Sequence, residues 1–381
     1  MISTYLLDGH TTHPAAASCS LLRRLPLTAI TGLSAASARE TATRVREAVV
    51  SSGYDWPRQR VELVLSQGIA PLVASTGVDL ALALAALVAS GQVEADRLDG
   101  LAFWGELSMA GEVRTVRGTL AAARAAQAQG LLLVTSPEGA ARAARAGLPA
   151  ASLPFLAAIR RSSGWDAAPV APMPEVWPER ALDFGDVVID EAVCDSLVEA
   201  ARARRPVLFV GPPGCGKTMI AARLPEILPL PSTAEQLQIA TVADAVGLGS
   251  GVGRPFRAPR HTISRSGLVG AGGRLGELAL ARWGVLFLDA LLDWPRATLM
   301  ELRHALSGPD APWLILATED GHEEGSTGHD RLLRHLNALG IDPVWIVLPR
   351  VRAAGGGSIC SATLRARVTS TPVVLASFHA G

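Results

Sequence analysis

Two α/β domains joined by a proline-rich linker are what the sequence predicts, the second built on a parallel sheet. Three observations carry this. Hydrophobic residues make up 49% of the 381 positions, enough for two sizeable cores by the usual length prior. Short apolar runs alternate with helical spacings from about Leu25 to Ser162, and again after Asp190. Between them the composition shifts to SSGWDAAPVAPMPEVWPER, where prolines deny regular structure. The expected boundaries are a first domain at 1–162, a linker at 163–180, a second domain at 181–350 and an irregular tail at 351–381.

In the first domain Ala38 to Ser51 has helical spacing, Val61 to Leu65 alternates as a strand, and Val78 to Ser90 reads as an alanine- and leucine-rich helix. Leu101 to Leu107 and Gly111 to Val116 follow, then a helix over Thr119 to Gln129 and a strand over Leu131 to Val134. In the second domain Asp190 to Arg204 reads as a helix. Ser232 to Val246 reads as another, with Ser232 or Thr233 as N-cap and Glu235 in its first turn. Gly247 to Gly276 is glycine-rich and irregular, and carries Arg254, Arg257, Arg260, Arg265 and Arg274 with no acidic residue among them.

Bulk properties exclude several classes. Formal charge is zero, so no whole-protein field draws nucleic acid, and any such contact needs a local patch. Four cysteines (Cys19, Cys194, Cys215 and Cys360) lack CxxC spacing, which argues against zinc and disulfide frameworks and fits a reducing cytosol. No uncharged apolar run reaches the length of a membrane span, and the start MISTYLLDGHTTH lacks a basic region leading into an apolar core.

The chemistry concentrates in PVLFVGPPGCGKTMIAARL, from Pro206 to Leu224. Val207 to Val210 reads as a buried parallel strand, and Met219 onward reads as a helix. Between them Gly211, Pro212, Pro213, Gly214, Cys215, Gly216, Lys217 and Thr218 match the spacing of a phosphate-binding loop. There backbone N–H groups cradle phosphates, the lysine reaches the β/γ oxygens and the hydroxyl ligates Mg2+. The competing reading is a structural glycine turn. Lys217 is the only lysine among 35 Lys plus Arg, so a chain that otherwise uses arginine keeps a compact ammonium at this one point. Val285 to Leu288, ending at Asp289, is a second apolar strand whose aspartate would hold Mg2+ through water; alone, it could equally be a helix N-cap.

Three stretches, GPPGCGKTMIAARLPEILP, RPFRAPRHT and GELALARWGVLFLDALLDW, resemble in that order the magnesium-chelatase-like AAA+ ATPases of the ComM/YifB group. The first half is similar to that family's own N-terminal domain in LPLTAITGLSAASARETATRVREAVVSSGYDWP, GVDLALALAALVASGQV and GELSMAGEVRTVRGTLAAARAA. The likeness spans roughly Leu25 to Leu306. It implies an N-terminal domain like ribosomal protein S5 and the Lon protease catalytic domain, then a P-loop AAA+ parallel-sheet domain with Asp289 expected on the strand beside the loop strand. It also implies cofactors ATP and Mg2+, a cytoplasmic location, hexamers, and motion on branched DNA. A peptidase is excluded by chemistry: the Ser–Lys dyad needs a lysine, this domain has none, and Asp79 stands where the nucleophile would be.

Departures from the family pattern matter as much. Ala290 stands where the family has the glutamate that activates the attacking water, help worth about 10^2 to 10^4 in rate; Asp293 is the nearest substitute. Ser307-Gly308-Pro309 runs almost straight into an apparent strand at Trp313 to Thr318, leaving no room for the family's DNA-engaging hairpin. Thr318-Glu319-Asp320 replaces a sensor asparagine, and a carboxylate there repels the γ-phosphate. His322, Glu323, Glu324 and His329 read as a solvated loop before metal ligands. Arg331 and Arg334 read as a surface helix before a contribution across a subunit boundary. No helical lid is recognisable, so the chain reads as a divergent, C-terminally truncated member. The lost groups act on the transition state and the retained ones on the ground state. The expectation is therefore ATP binding with weak or absent hydrolysis. The alternatives are an active ATP-dependent DNA motor contacting DNA through the five arginines, and a structural interaction protein that binds no nucleotide.

Overall fold

The structure is a computed structural model and describes residues 1–67, 76–160, 182–187, 189–248, 253–306, 308–319, 327–348 and 360–369. The expected linker at 163–180 lies outside the described residues. The chain divides into two compact units, Met1–Glu175 with Ala240–Gly251, and Val176–Ile239 with Val252–Gly381.

The first unit is built on one mixed sheet. Its strands are β1 (Ile2–Asp8), β2 (Thr11–Leu22), β3 (Thr28–Thr31), β4 (Arg60–Gln67), β5 (Leu101–Phe103), β8 (Leu132–Thr135) and β9 (Ala150–Ser152), in the order β3-β4-β2-β1-β5-β8-β9. β6 (Glu106–Leu107) and β7 (Val113–Arg114) form a separate two-stranded ribbon. The helices are α1 (Ala35–Ser51), α2 (Asp79–Ala89), α3 (Thr119–Ala128) and α4 (Pro137–Arg145). α2 is buried at every position from Asp79 to Leu87, as a helix apolar on all sides must be. The predicted helices and strands after Leu25 are present. The hairpin β1–β2 extends the sheet before that point, paired from Ile2↔Ala17 to Asp8↔Thr11 through a turn in which Gly9 has φ 61°.

The second unit carries α5 (Glu191–Arg202), β10 (Val207–Val210), α6 (Lys217–Ala221), α7 (Thr233–Val246, whose last residues belong to the first unit), β11 (Phe256–Arg257) and α8 (Arg265–Val269). Next come the ribbon β12 (Gly270–Ala271) and β13 (Arg274–Leu275), then α9 (Glu277–Ala281), β14 (Val285–Leu288), α10 (Arg296–Ala305) and β15 (Trp313–Thr318). α11 (Thr327–Leu339), β16 (Val344–Val347) and α12 (Ser361–Thr369) complete it. The sheet is wholly parallel in the order β11-β14-β15-β10-β16.

Its strands are apolar without a break because both faces are covered. Val207 and Phe209 enter one core with Phe184, Leu197 and Leu364, while Leu208 and Val210 enter the other with Leu299, Leu302 and Leu332. Val285 and Phe287 against Leu286 and Leu288 repeat the two-residue alternation. Among the described residues there is no strand between Ala305 and Trp313.

Two expectations are corrected. β14 is not beside β10: β15 lies between them, pairing Phe209↔Ala317 on one side and Phe287↔Ile315 on the other. The tail is not irregular throughout, since Ser361–Thr369 is helical. Its periodicity is too weak to read, because only Leu364 and Val368 reach the core from its middle and end. Tertiary contacts hold it. Asp183 accepts from Ser361 N at 3.1 and 3.2 Å, Ser361 Oγ accepts from Phe184 N at 2.9 Å, and Arg365 donates to Glu226 O at 2.7 Å.

Candidate nucleotide-binding site

β10 ends with its neighbours gripping the loop that follows. Gly211 N donates to Thr318 O at 3.2 Å, and Leu348 N donates to Val210 O at 2.8 Å. Gly211 has no space for a side chain: a Cβ there would overlap Leu348 O and lie 2.9 Å from Cys215 Sγ. Gly214 and Gly216 take φ of 77° and 97°, a region that costs other residues about 1–2 kcal/mol. Pro212 is half-buried, Pro213 is exposed and Cys215 is buried. The glycines are thus placed by backbone need, and α6 starts directly after them at Lys217.

Lys217 is 7% exposed and folds back over its own loop. Nζ donates to Gly211 O at 2.6 Å and Pro212 O at 3.1 Å, with Cys215 Sγ at 4.0 Å. These charge-assisted bonds keep the ammonium inside the ring of loop atoms. Thr218 Oγ1 donates to Asp289 Oδ2 at 3.2 Å, across 71 positions of sequence. Asp289 is itself fixed: Oδ1 accepts from Ala290 N at 2.9 Å, and its carbonyl accepts from Trp294 Nε1 at 2.9 Å. With its proton spent on Asp289, the Thr218 hydroxyl turns lone pairs outward, the polarity a divalent cation needs. The donor set, one hydroxyl and one exposed carboxylate beside a lysine-bearing loop, fits Mg2+ shared with a phosphate.

Ala290, directly after Asp289, carries only a methyl group. Its backbone is left-handed (φ 49°, ψ 54°) as the chain turns into the short 3₁₀ segment Leu291–Asp293. The carboxylate of Asp293 makes no hydrogen bond or ion pair to Lys217, Thr218 or Asp289 among the described residues. Glu319 is exposed one position beyond Thr318, whose carbonyl takes the loop's first N–H. Asp320, His322, Glu323 and Glu324 lie outside the described residues. His329 lies tilted against Trp345, ring centroids 6.1 Å apart, and no cluster of three metal-ligating side chains occurs among the described residues.

The five arginines do not form one patch. Arg254 is buried and used internally, donating to Pro229 O (2.6 Å), Trp283 O (2.6 Å) and Glu235 (3.2 Å), so it is withdrawn from any DNA surface. Arg257 is held bidentate by Glu277 at 2.5 and 2.7 Å. Arg265 pairs with Glu301 but stays exposed, and Arg260 and Arg274 are exposed. The sequence hid this because each acidic partner lies outside the glycine-rich stretch. Arg331 donates to Leu292 O and Arg334 to Asp330 O, both on the exposed side of α11. Asp79 in the first unit is fully buried, with Oδ2 accepting from Arg44 Nε at 2.8 Å and from Leu107 N at 3.3 Å, so no nucleophile is presented there.

One bracing network escaped sequence reading. Arg223, in the turn after α6, donates to Met219 O (2.9 Å), Asp183 O (2.7 Å) and Asp186 (3.2 Å). It ties the loop's helix to the segment before α5 and, through Asp183, to α12. No local spacing could signal the two aspartates, which lie 40 and 37 positions away in sequence.

Residues 183–310 match the family described as magnesium chelatase, subunit ChlI, and residues 18–139 match subunit ChlI of Mg-chelatase. An uncharacterized protein of Mycobacterium tuberculosis is 35% identical over 318 residues, covering 78% of this chain and 61% of that protein, so the chain spans under two thirds of that relative. YifB of Escherichia coli is 32% identical, covering 89% of this chain and 72% of that one. Competence protein ComM of Haemophilus influenzae is 32% identical over 81% of this chain and 67% of that one. Among solved structures, the P-loop NTPase domain of an E. coli sigma-54 transport activator aligns with 42% of this chain at 15% identity and a TM-score of 0.27, too loose to add to the sheet order. No helix among the described residues is long and apolar enough to cross a membrane. With its loop, its sheet order and these relatives, the chain belongs to the magnesium-chelatase-like AAA+ family, in the group that includes YifB and ComM.

Proposed function

We propose that this chain binds ATP with Mg2+ on Gly211 to Thr218 and hydrolyses it slowly or not at all. The observation that carries the reading is the Thr218–Asp289 hydrogen bond at 3.2 Å, which joins two residues needed for one cation across 71 positions. Lys217 exchanges its bonds to Gly211 O and Pro212 O for phosphate oxygens, so binding replaces existing bonds and does not create a charge contact from nothing. The loop's backbone N–H groups would cradle the phosphates, and Thr218 with Asp289 would hold the cation. Mg2+, when bound, neutralises phosphate charge. Ala290 offers nothing to deprotonate water, and Glu319 brings negative charge near where a sensor amide would donate.

In this reading the protein works in the cytoplasm, and a hexamer is not required for binding. The second reading, a DNA motor, is favoured only by the exposed Arg260, Arg265 and Arg274. Titration with a fluorescent ATP analogue is expected to give micromolar affinity lost in Lys217→Ala, with negligible phosphate release with or without DNA. Brisk Mg-dependent release from the unaltered chain, abolished by Lys217→Ala, replaces this reading with the motor. Absence of binding returns the loop to a structural turn. Ala290→Glu is expected to restore some turnover only if the rest of the site is sound.

A further inference from the structure

α5 closes with a Schellman motif: Arg205 N donates to Ala200 O and Arg204 N to Ala201 O. The left-handed position of that motif is ordinarily glycine, yet here it is Arg204, at φ 51°. The second cost is electrostatic. Arg254 is buried, and burial together with the like charge of Arg204 lowers its pKa to about 10. Glu235 is the one acidic group acting on both guanidiniums. Arg254 spends its donors on Pro229 O, Trp283 O and Glu235, whereas the exposed side chains of Arg204 and Arg205 have no partner among the described residues. Trp283, whose carbonyl receives Arg254, is also left-handed, at φ 63°. Backbone strain and uncompensated positive charge thus coincide at one end of the sheet.

That end is the amino end of the parallel strands. Arg204 and Arg205 precede β10, Arg254 precedes β11 and Trp283 precedes β14, while the phosphate loop leaves the carboxyl end of β10. The four-residue strand separates the two ends by about 13 Å. We propose that the amino end of this sheet is a second anion site, in which Arg204 and Arg205 bind a phosphate group and Arg254 holds the positive field behind them. Guanidinium forks match phosphate oxygens in pairs, and an incoming dianion removes the like-charge cost that Glu235 leaves uncancelled.

Calorimetric titration of the full chain with inorganic phosphate tests this, in a Lys217→Ala background or with the loop saturated by a nonhydrolysable ATP analogue. Millimolar binding is expected to persist there and to weaken at least tenfold in Arg204→Gly, which gives the motif its usual residue and so keeps or raises Tm. A short single-stranded oligonucleotide at equal phosphate concentration distinguishes sources. Tighter binding than free phosphate, again lost in Arg204→Gly, assigns the group to a polynucleotide backbone; equal or weaker binding assigns it to a free phosphate. The proposal is overturned if phosphate binding vanishes with the loop blocked, if Arg204→Gly leaves it unchanged, or if Arg204→Gly lowers Tm and thereby makes Arg204 a structural cap.

Discussion

Asp79 gives the first unit a pH dependence opposite to that of an exposed ion pair. Its carboxylate is fully buried at the start of α2, and burial raises its pKa from 3.8 to about 6 despite the Arg44 guanidinium at 2.8 Å. The native state therefore holds a proton that the unfolded chain has released between those values, and stability falls as pH rises through them. About two units at 1.36 kcal/mol each amount to about 3 kcal/mol, present below pH 4 and lost by pH 7. The assay is amide hydrogen exchange in the full chain, corrected for intrinsic rates and read on Leu82 to Leu87 of α2, because a two-unit chain need not unfold in one step. Protection there is expected to fall by about 100-fold from pH 4 to pH 7 relative to Asp79→Asn, whose amide cannot titrate. Protection that is flat across this range, or that rises with pH relative to the variant, refutes the claim that burial outweighs Arg44.

Two further outcomes test the frame of the loop from Gly211 to Thr218. Gly211→Ala forces a methyl group into Leu348 O and is expected to cost about 2 kcal/mol in urea denaturation and to weaken ATP analogue binding, whereas Gly214→Ala, with open space but φ 77°, costs about 1–2 kcal/mol from backbone strain alone. For Asp183, burial raises the pKa, but hydrogen bonds from Gly185 N and Ser361 N outweigh it and hold the carboxyl below its usual range. The sign is therefore that of an acid-labile clamp: its contribution is present at neutral pH and lost as pH falls. Limited proteolysis is expected to release α12 in Asp183→Ala at pH 7, and in the unaltered chain only under acid; equal resistance of both at pH 7 removes the clamp.

The amino-acid order alone determined everything that depends on near neighbours in sequence. The tight turn from Gly211 to Gly216 needed only glycine spacing, and the strands Val207 to Val210 and Val285 to Leu288 only their unbroken apolar runs, because burial on both faces leaves no room for polar residues. Tertiary structure decided what depends on distant partners. It set β15 between the two site strands, paired Arg254 and Arg257 with carboxylates outside their own stretch, and held α12 through Asp183 although its own periodicity is weak. It also brought Thr218 to Asp289. A turn or a helix is specified by contacts a few residues apart, which spacing records, whereas an ion pair or a strand order is chosen by where the chain returns in space, and no local pattern encodes that return.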